Sequence, residues 1–160
     1  MKTFLIIFTA FFSLSAQAFN MASVHVGENA TFNLTINNSS STLYTMKMEV
    51  TAVDEASGKF TQTQTIYQGT TQLQQSTSVG DIADMEQYAA IVANCSSVGG
   101  TNETVTVPAG TFQTCHVVSS NENGTSDIQI ANVPFGIAVL DQVNAKDGQE
   151  VKAELVSFLN

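Results

Sequence analysis

From Thr31 to Asn37 apolar and polar side chains alternate, with Phe32, Leu34 and Ile36 on one face of an extended strand and Asn33 and Thr35 on the other. Tyr44, Met46, Met48, Val50 and Ala52 repeat the pattern against Thr45, Lys47, Glu49 and Thr51. A period of two cannot line up as a stripe along a helix, so both segments read as half-buried β-strands. Turn residues recur about every ten positions, the spacing of an antiparallel all-β domain. Asp54 to Gly58 is a turn, Lys59 to Gln68 a Thr/Gln-rich strand carrying Phe60, Ile66 and Tyr67, and Gly69 a reversal into Thr70 to Val79. The predicted fold is mainly β: an antiparallel meander of about nine strands with one packed α-helix.

The helix is expected from about Ile82 to Ala93. Asp81 is the candidate N-cap, Asp84 and Glu86 place negative charge in the first turns, and Ile82, Met85, Ala89 and Val92 form the apolar stripe. Three hairpins follow. Val107-Pro108-Ala109-Gly110 suits a type I turn with a left-handed glycine, a three-residue hairpin with a bulge. Asn123-Gly124 and Asp147-Gly148 are two-residue hairpin signals. Placing those dipeptides at the turn centres pairs Val117 with Ile130, Ser119 with Ile128, Leu140 with Leu155 and Val139 with Val156. The last pair is then apolar on both faces and needs cover on both sides. The same register sets Asp141 against Glu154, an unfavourable like-charge pair.

Residues 1–18 read as a secretory signal peptide rather than as part of the fold. Met1-Lys2 is a basic start, Phe4 to Leu14 an apolar stretch too short to cross a bilayer, and Ala16-Gln17-Ala18 a small-x-small cleavage site. Cleavage after Ala18 leaves residues 19–160 as a single β-rich domain with its N-terminus at Phe19, exported to the periplasm or secreted. Loss of Lys2 takes the formal charge from −9 to −10. The first cysteine is Cys95, so the start of the mature chain has no site for a lipoprotein anchor. Cys95 and Cys115 are an even pair in an exported chain, for which a disulfide is the default. A redox-active or metal-binding pair would call for C-x-x-C spacing or companion ligands, which are missing.

Charge limits function further. Five lysines and no arginine against 14 acids give no electrostatic footprint for nucleic acid. The two histidines, His25 and His116, restrict nucleophilic catalysis. His25 reads as a surface residue. His116 follows Cys115 directly, so on a strand the two point to opposite faces and cannot form a dyad, and a His sharing its face with Phe112 and Val118 reads as structural. No G-x-S-x-G or H-E-x-x-H motif is present, and no Ca²⁺-loop pattern. Asp81, Asp84 and Glu86 read as helix-capping charge, with a cation site as the alternative. Asp54, Glu55, Asp147 and Glu150 read as solvated turn acids. Glycosidase-type carboxylates pair in space rather than in sequence, but the chain has no Trp for stacking sugars. No cofactor and no metal is expected, and the chain reads as a non-enzyme. Asn29, Asn33, Asn37, Asn38, Asn94, Asn102 and Asn123 open N-x-S/T sequons, which a Thr/Ser/Asn-rich polar face generates by composition.

The C-terminal third carries V-T-V-P-A-G-T-F-Q-T-C at Val105 to Cys115, N-V-P-F-G-I-A-V at Asn132 to Val139 and E-L-V-S-F at Glu154 to Phe158. This order resembles uncharacterised bacterial envelope proteins with a V-P-A-G-T-F hairpin, a V-P-F-G strand and a closing E-L-V strand, which are similar to LolA/LolB-like half-barrels. The resemblance adds a curved, half-barrel-like shape to the antiparallel sheet, implies a helical cover that can hold acyl chains, and supplies no catalytic residues. Such proteins often carry a Trp before V-P-F-G and a Lys after it, whereas this chain has Ile128 and Ile130, then Ala138 and Val139.

Two functions fit. The first is an envelope protein that binds a lipid or other apolar ligand between sheet and helix, lined by Phe32, Leu34, Ile36, Tyr44, Met46, Met48, Val50, Ile82, Met85 and Ala89. The same residues would equally form an ordinary core. The second is a secreted or surface interaction module in which the Thr/Gln-rich strands from Thr61 to Thr77 meet a protein partner, for instance another envelope protein. An unfilled cavity favours the first, and a filled core beside a polar Thr/Gln face favours the second.

Overall fold

The computed structural model describes residues 24–37 and 41–160. Residues 1–18, the start at Phe19 and the sequon at Asn38 lie outside them. Nine strands form one open antiparallel sheet: β1 (Asn29–Asn37), β2 (Ser41–Asp54), β3 (Lys59–Gln68), β4 (Thr71–Asp81), β5 (Thr101–Val107), β6 (Gly110–Asn121), β7 (Gly124–Ala131), β8 (Ile137–Asn144) and β9 (Glu150–Leu159). The spatial order is β4-β3-β2-β1-β9-β8-β7-β6-β5. Two meanders therefore meet at β1 and β9, the first and last strands of the sheet in sequence. A helical segment carries the chain from the β4 edge to the β5 edge.

That segment is α1 (Ile82–Glu86) and α2 (Tyr88–Ala93), with Gln87 between them in right-handed helical geometry, followed by a 3-10 turn at Cys95–Val98. It occupies the predicted helix position with an interruption at Gln87. Asp81 has the extended backbone of an N-cap but makes no side-chain cap bond, because its carboxylate is taken by Lys59 Nζ at 2.5 Å across the β3–β4 pair. Ala89 is exposed, whereas Ile91, outside the predicted stripe, is the buried residue of α2.

Turns follow local chemistry. Asp54 Oδ1 accepts from the backbone N–H groups of Ala56 (3.1 Å) and Ser57 (3.3 Å), an Asx arrangement that closes the β2–β3 turn. Near the end of β2 a bulge between Val50 and Ala52 inserts an extra residue. The alternation flips there, so Val53 rather than Ala52 packs on the core and Ala52 is exposed.

Register corrects the hairpin expectations. The β6–β7 turn is centred on Glu122-Asn123, with Gly124 already paired to Asn121 at φ 142°. Val117 therefore faces Ile128, and Cys115 faces Ile130. Between β8 and β9 the last pair is Val143 with Glu150, and the longer turn is closed by Gly148 N–H to Asn144 O at 2.8 Å. Leu140 faces Ala153, Val139 faces Glu154, and Asp141 faces Lys152. The predicted Asp141–Glu154 conflict is thus replaced by an ion pair of 3.0 Å. Each correction is a slip of two residues, which leaves every side chain on its predicted face. At the β5–β6 turn Val107 pairs with Gly110, so the loop is the dipeptide Pro108-Ala109. V-P-F-G is a buried 3-10 turn at Pro134–Gly136 rather than a strand.

The sheet bends strongly in its C-terminal half. Ala109, at the β5–β6 tip, donates its N–H to Leu155 O of β9 at 3.2 Å. Strands lie about 4.8 Å apart, so a flat sheet would leave these groups roughly 15–20 Å from each other. Phe112 of β6 and Phe158 of β9 meet with ring centroids 6.0 Å apart, which belongs to the same curl. The main core gathers β1, β2, β3, β8 and β9 with the Pro134–Gly136 turn. A second cluster, Ile91, Cys95, Cys115 and Ile130, lies under α2. The Cys95–Cys115 disulfide crosses it with Cα atoms 5.2 Å apart, tying the 3-10 turn to β6.

Candidate functional site

Most of the ten residues expected to line a ligand site belong to the hydrophobic core of the sheet. Phe32 and Val50 are 0% exposed, Leu34 and Met46 1% and Met48 5%, so one face of β1 and β2 is buried in the core. Ile36, Tyr44, Ile82 and Met85 pack against the same cluster at its margin, and Ala89 faces away from it. Pairing explains the arrangement: Phe32 faces Met46 and Leu155, and Leu34 faces Tyr44 and Ala153. The apolar face gives way at β3. Gln64 faces Met48 and donates to Met46 Sδ at 3.0 Å, and Gln62 donates to Ser78 Oγ at 3.0 Å.

On the other face of β2, β3 and β4 lies a shallow groove of about 260 Å³, lined by Lys47, Glu49, Thr63, Thr65, Tyr67 and Gln75 among others. Lys47 and Glu49 hold each other at 2.5 Å, and the remaining lining groups are neutral hydrogen-bonding side chains. Beyond the groove runs β4, an edge strand exposed along its length except at Gln74 and Gly80. Its exposed apolar side chains are Leu73, the bulge residue, and Val79. No charged residue and no proline occurs from Thr71 to Gly80.

The opposite end of the sheet carries a polar cluster that the sequence did not reveal. His116 on β6 lies between two acids: Nδ1 is 2.9 Å from Glu103 Oε1 on β5, and Nε2 is 2.8 Å from Asp127 Oδ1 on β7. Gln129 Nε2 donates to Glu103 Oε2 at 3.0 Å, and Thr114 Oγ1 donates to Gln129 Oε1 at 2.6 Å. Its bond to Glu103, followed by the bond to Asp127 and the charge of both acids, raises the imidazole pKa above its ordinary value. Bonds from Gln129 and His116 hold the Glu103 carboxyl below the usual range. The band continues to Asp141, directly opposite Asp127, and then to Lys152. Asp141 and Glu150 hold the Lys152 ammonium above its usual pKa, the bond to Glu150 contributing most. The two carboxylates on His116 occupy opposite ring nitrogens and cannot converge with it on one ion, and no metal-binding group of three or more such side chains is found among the described residues.

Under α1 and α2, Tyr88 is partly buried against the Pro134–Gly136 turn, and desolvation first, then Asp84, raises its phenol pKa to about 12. Phe135 in that turn sits at φ 62°, and among the described residues it is the sole non-glycine with positive φ.

No protein-family model matches the chain, and no curated protein matches it significantly. Solved structures do match. A protein from Bacteroides fragilis described as exported and of YmcC-like fold is similar at a TM-score of 0.57 and 14% identity, over 88% of this chain and 99% of that one. A protein from Parabacteroides distasonis described as a lipoprotein is similar at a TM-score of 0.54 and 10% identity, over 84% and 96% of the two chains. At such identities the likeness is one of fold. No helix among the described residues is long and apolar enough to cross a membrane.

Proposed function

We propose that this chain is an exported, non-enzymatic envelope protein that acts as an interaction module, presenting the Thr/Gln-rich β3–β4 face and the edge of β4 to an extended segment of a protein partner. The observation that carries the reading is β4 itself: an edge strand, uncharged from Thr71 to Gly80 and exposed along most of its length, in a chain of net charge −9. Strand addition at such an edge draws affinity from main-chain hydrogen bonds and specificity from alternate side chains. Export is supported by the signal-like features of residues 1–18 and by fold neighbours described as exported or as a lipoprotein. The non-enzymatic reading rests on where potential nucleophiles and bases sit: both cysteines are in the disulfide, and both ring nitrogens of His116 are taken by carboxylates.

The lipid-carrier alternative, which the LolA/LolB-like resemblance suggests, asks an acyl chain to displace Phe32, Leu34, Met46 and Val50 from a packed interior. That makes it the weaker reading. The test places a photo-crosslinking residue at Ser76 on β4 and, as a control, at exposed Ser157 on β9, in the exported chain in its own envelope. A discrete adduct at Ser76 but not at Ser157, lost when Leu73 and Val79 are replaced by Lys, supports the module. Equal labelling at both sites, or a stoichiometric lipid adduct in detergent-free native mass spectrometry, overturns it.

A further inference from the structure

A neutral imidazole has one N–H, yet His116 faces a carboxylate at each nitrogen. Both contacts are hydrogen bonds only when the ring is protonated. On losing its proton, the ring turns a lone pair toward one of the two carboxylates. Glu103 and Asp127 lie on β5 and β7, strands that are not neighbours and are joined here across β6. β5 is the second edge of the sheet. We propose that His116 is a proton-operated clasp that fastens edge strand β5 to β7, closed while the imidazolium is present and half open once it is lost.

The groups that set its behaviour are few. Glu103 faces it from β5 and Asp127 from β7, and beyond Asp127 lie Asp141 on β8 and Lys152 on β9. The opposite face of β6 at this point is occupied by the disulfide. Gln129 makes a second link from β7 to Glu103 that does not depend on the His116 proton, so opening the clasp loosens β5 without releasing it. The sign follows from the two shifts. The raised imidazole pKa means stability that is fully present below the unfolded value of about 6.5 and lost as pH rises through the folded value. The lowered Glu103 pKa means stability present above its unfolded value and lost as pH falls through the folded one. The clasp is therefore complete in the window between Glu103 protonation and His116 deprotonation.

The test is NMR on the mature chain, with the His25 signal assigned from H25Q. Expected are a His116 midpoint above 6.5, lowered by either E103Q or D127N, and imidazolium shifts at both nitrogens below it. Protection factors of the β5 amides, corrected for intrinsic exchange, should fall about two- to fivefold across that midpoint, the scale of a part-exposed ion pair. H116Q should abolish the step while leaving β2–β3 protection unchanged. A midpoint at or below 6.5, or β5 protection that stays flat through the wild-type titration, overturns the proposal, and neither result depends on any variant folding.

Discussion

Gly136 sits at φ 69°, and a Cβ added there would lie 2.3 Å from two ring carbons of Tyr88 and 2.5 Å from a third. Ordinary carbon contacts begin near 3.5 Å, so Gly136→Ala forces an overlap of about 1 Å onto a ring held under α1 and α2. Two costs follow. Left-handed backbone is unfavourable for alanine by about 1–2 kcal/mol, and overpacking a filled site costs about 1–3 kcal/mol. Together G136A should lose about 2–5 kcal/mol, on the order of 10 °C in Tm for a domain of this size. The two parts separate in a double-mutant cycle with Tyr88→Ala, which opens the space but leaves the dihedral. In that background G136A should retain only the backbone cost, leaving a coupling of about 1–3 kcal/mol. Urea denaturation of the four proteins measures each corner. A G136A protein within about 0.5 kcal/mol of wild type, or a coupling near zero, would refute the packing of Tyr88 on this turn.

Phe135 should invert the usual ranking of Ala over Gly: at φ 62°, Phe135→Gly should be less destabilised than Phe135→Ala by about 1–2 kcal/mol, although both lose the ring, and chemical denaturation of the pair decides it. Replacing both Cys95 and Cys115 by Ser should lower stability by about 3 kcal/mol, the chain-entropy value for their separation of 20 residues, whereas thermal unfolding unchanged on reduction would contradict it. Lys152→Glu places a carboxylate opposite Asp141 and beside Glu150, so it should lower Tm at low ionic strength and do so less in 1 M salt, and a Tm shift that ignores salt would contradict it.

Strand number, helix position and disulfide were legible because each depends on a local signal: alternation, an apolar stripe, an even cysteine pair. Register was not. An Asn-Gly or Asp-Gly pair announces a hairpin without saying whether glycine is a central turn residue or the first residue of the next strand. Charge could have settled one case, since moving Asp141 from Glu154 to Lys152 turns repulsion into attraction. The flip after Val50 escaped notice because a bulge leaves no mark in the composition of β2. The His116 cluster lay deeper still. Glu103, His116 and Asp127 come together only once two successive registers are fixed, and their diagonal contacts skip the directly paired residues Thr101 and Gln129. Packing of the candidate lining was equally out of reach, because the same alternation lines a cavity or fills one.

The two edges of the sheet differ in a way that bears on which one meets a partner. An exposed strand edge invites pairing with other chains, and proteins guard the edges they do not use. β5 is guarded on three counts. The disulfide anchors the turn that leads into it, the tip of its hairpin is bonded to Leu155 O, and His116 with Gln129 ties Glu103 to β7. β4 has the bulge at Leu73 and the Lys59–Asp81 pair at its end, and between them a run of Gln, Ser and Thr with neither charge nor proline. With 14 acids in the chain, a single carboxylate along β4 would have discouraged pairing there, yet the run has none. Introducing that missing guard as Ser76→Glu should therefore leave Tm within about 1 °C, because the site is exposed and off the core, and should suppress crosslinking from a neighbouring β4 position. The matching substitution on β5, Thr104→Glu, should leave that crosslinking unchanged. Loss of crosslinking in both variants would point to a general charge effect and remove the distinction between the edges.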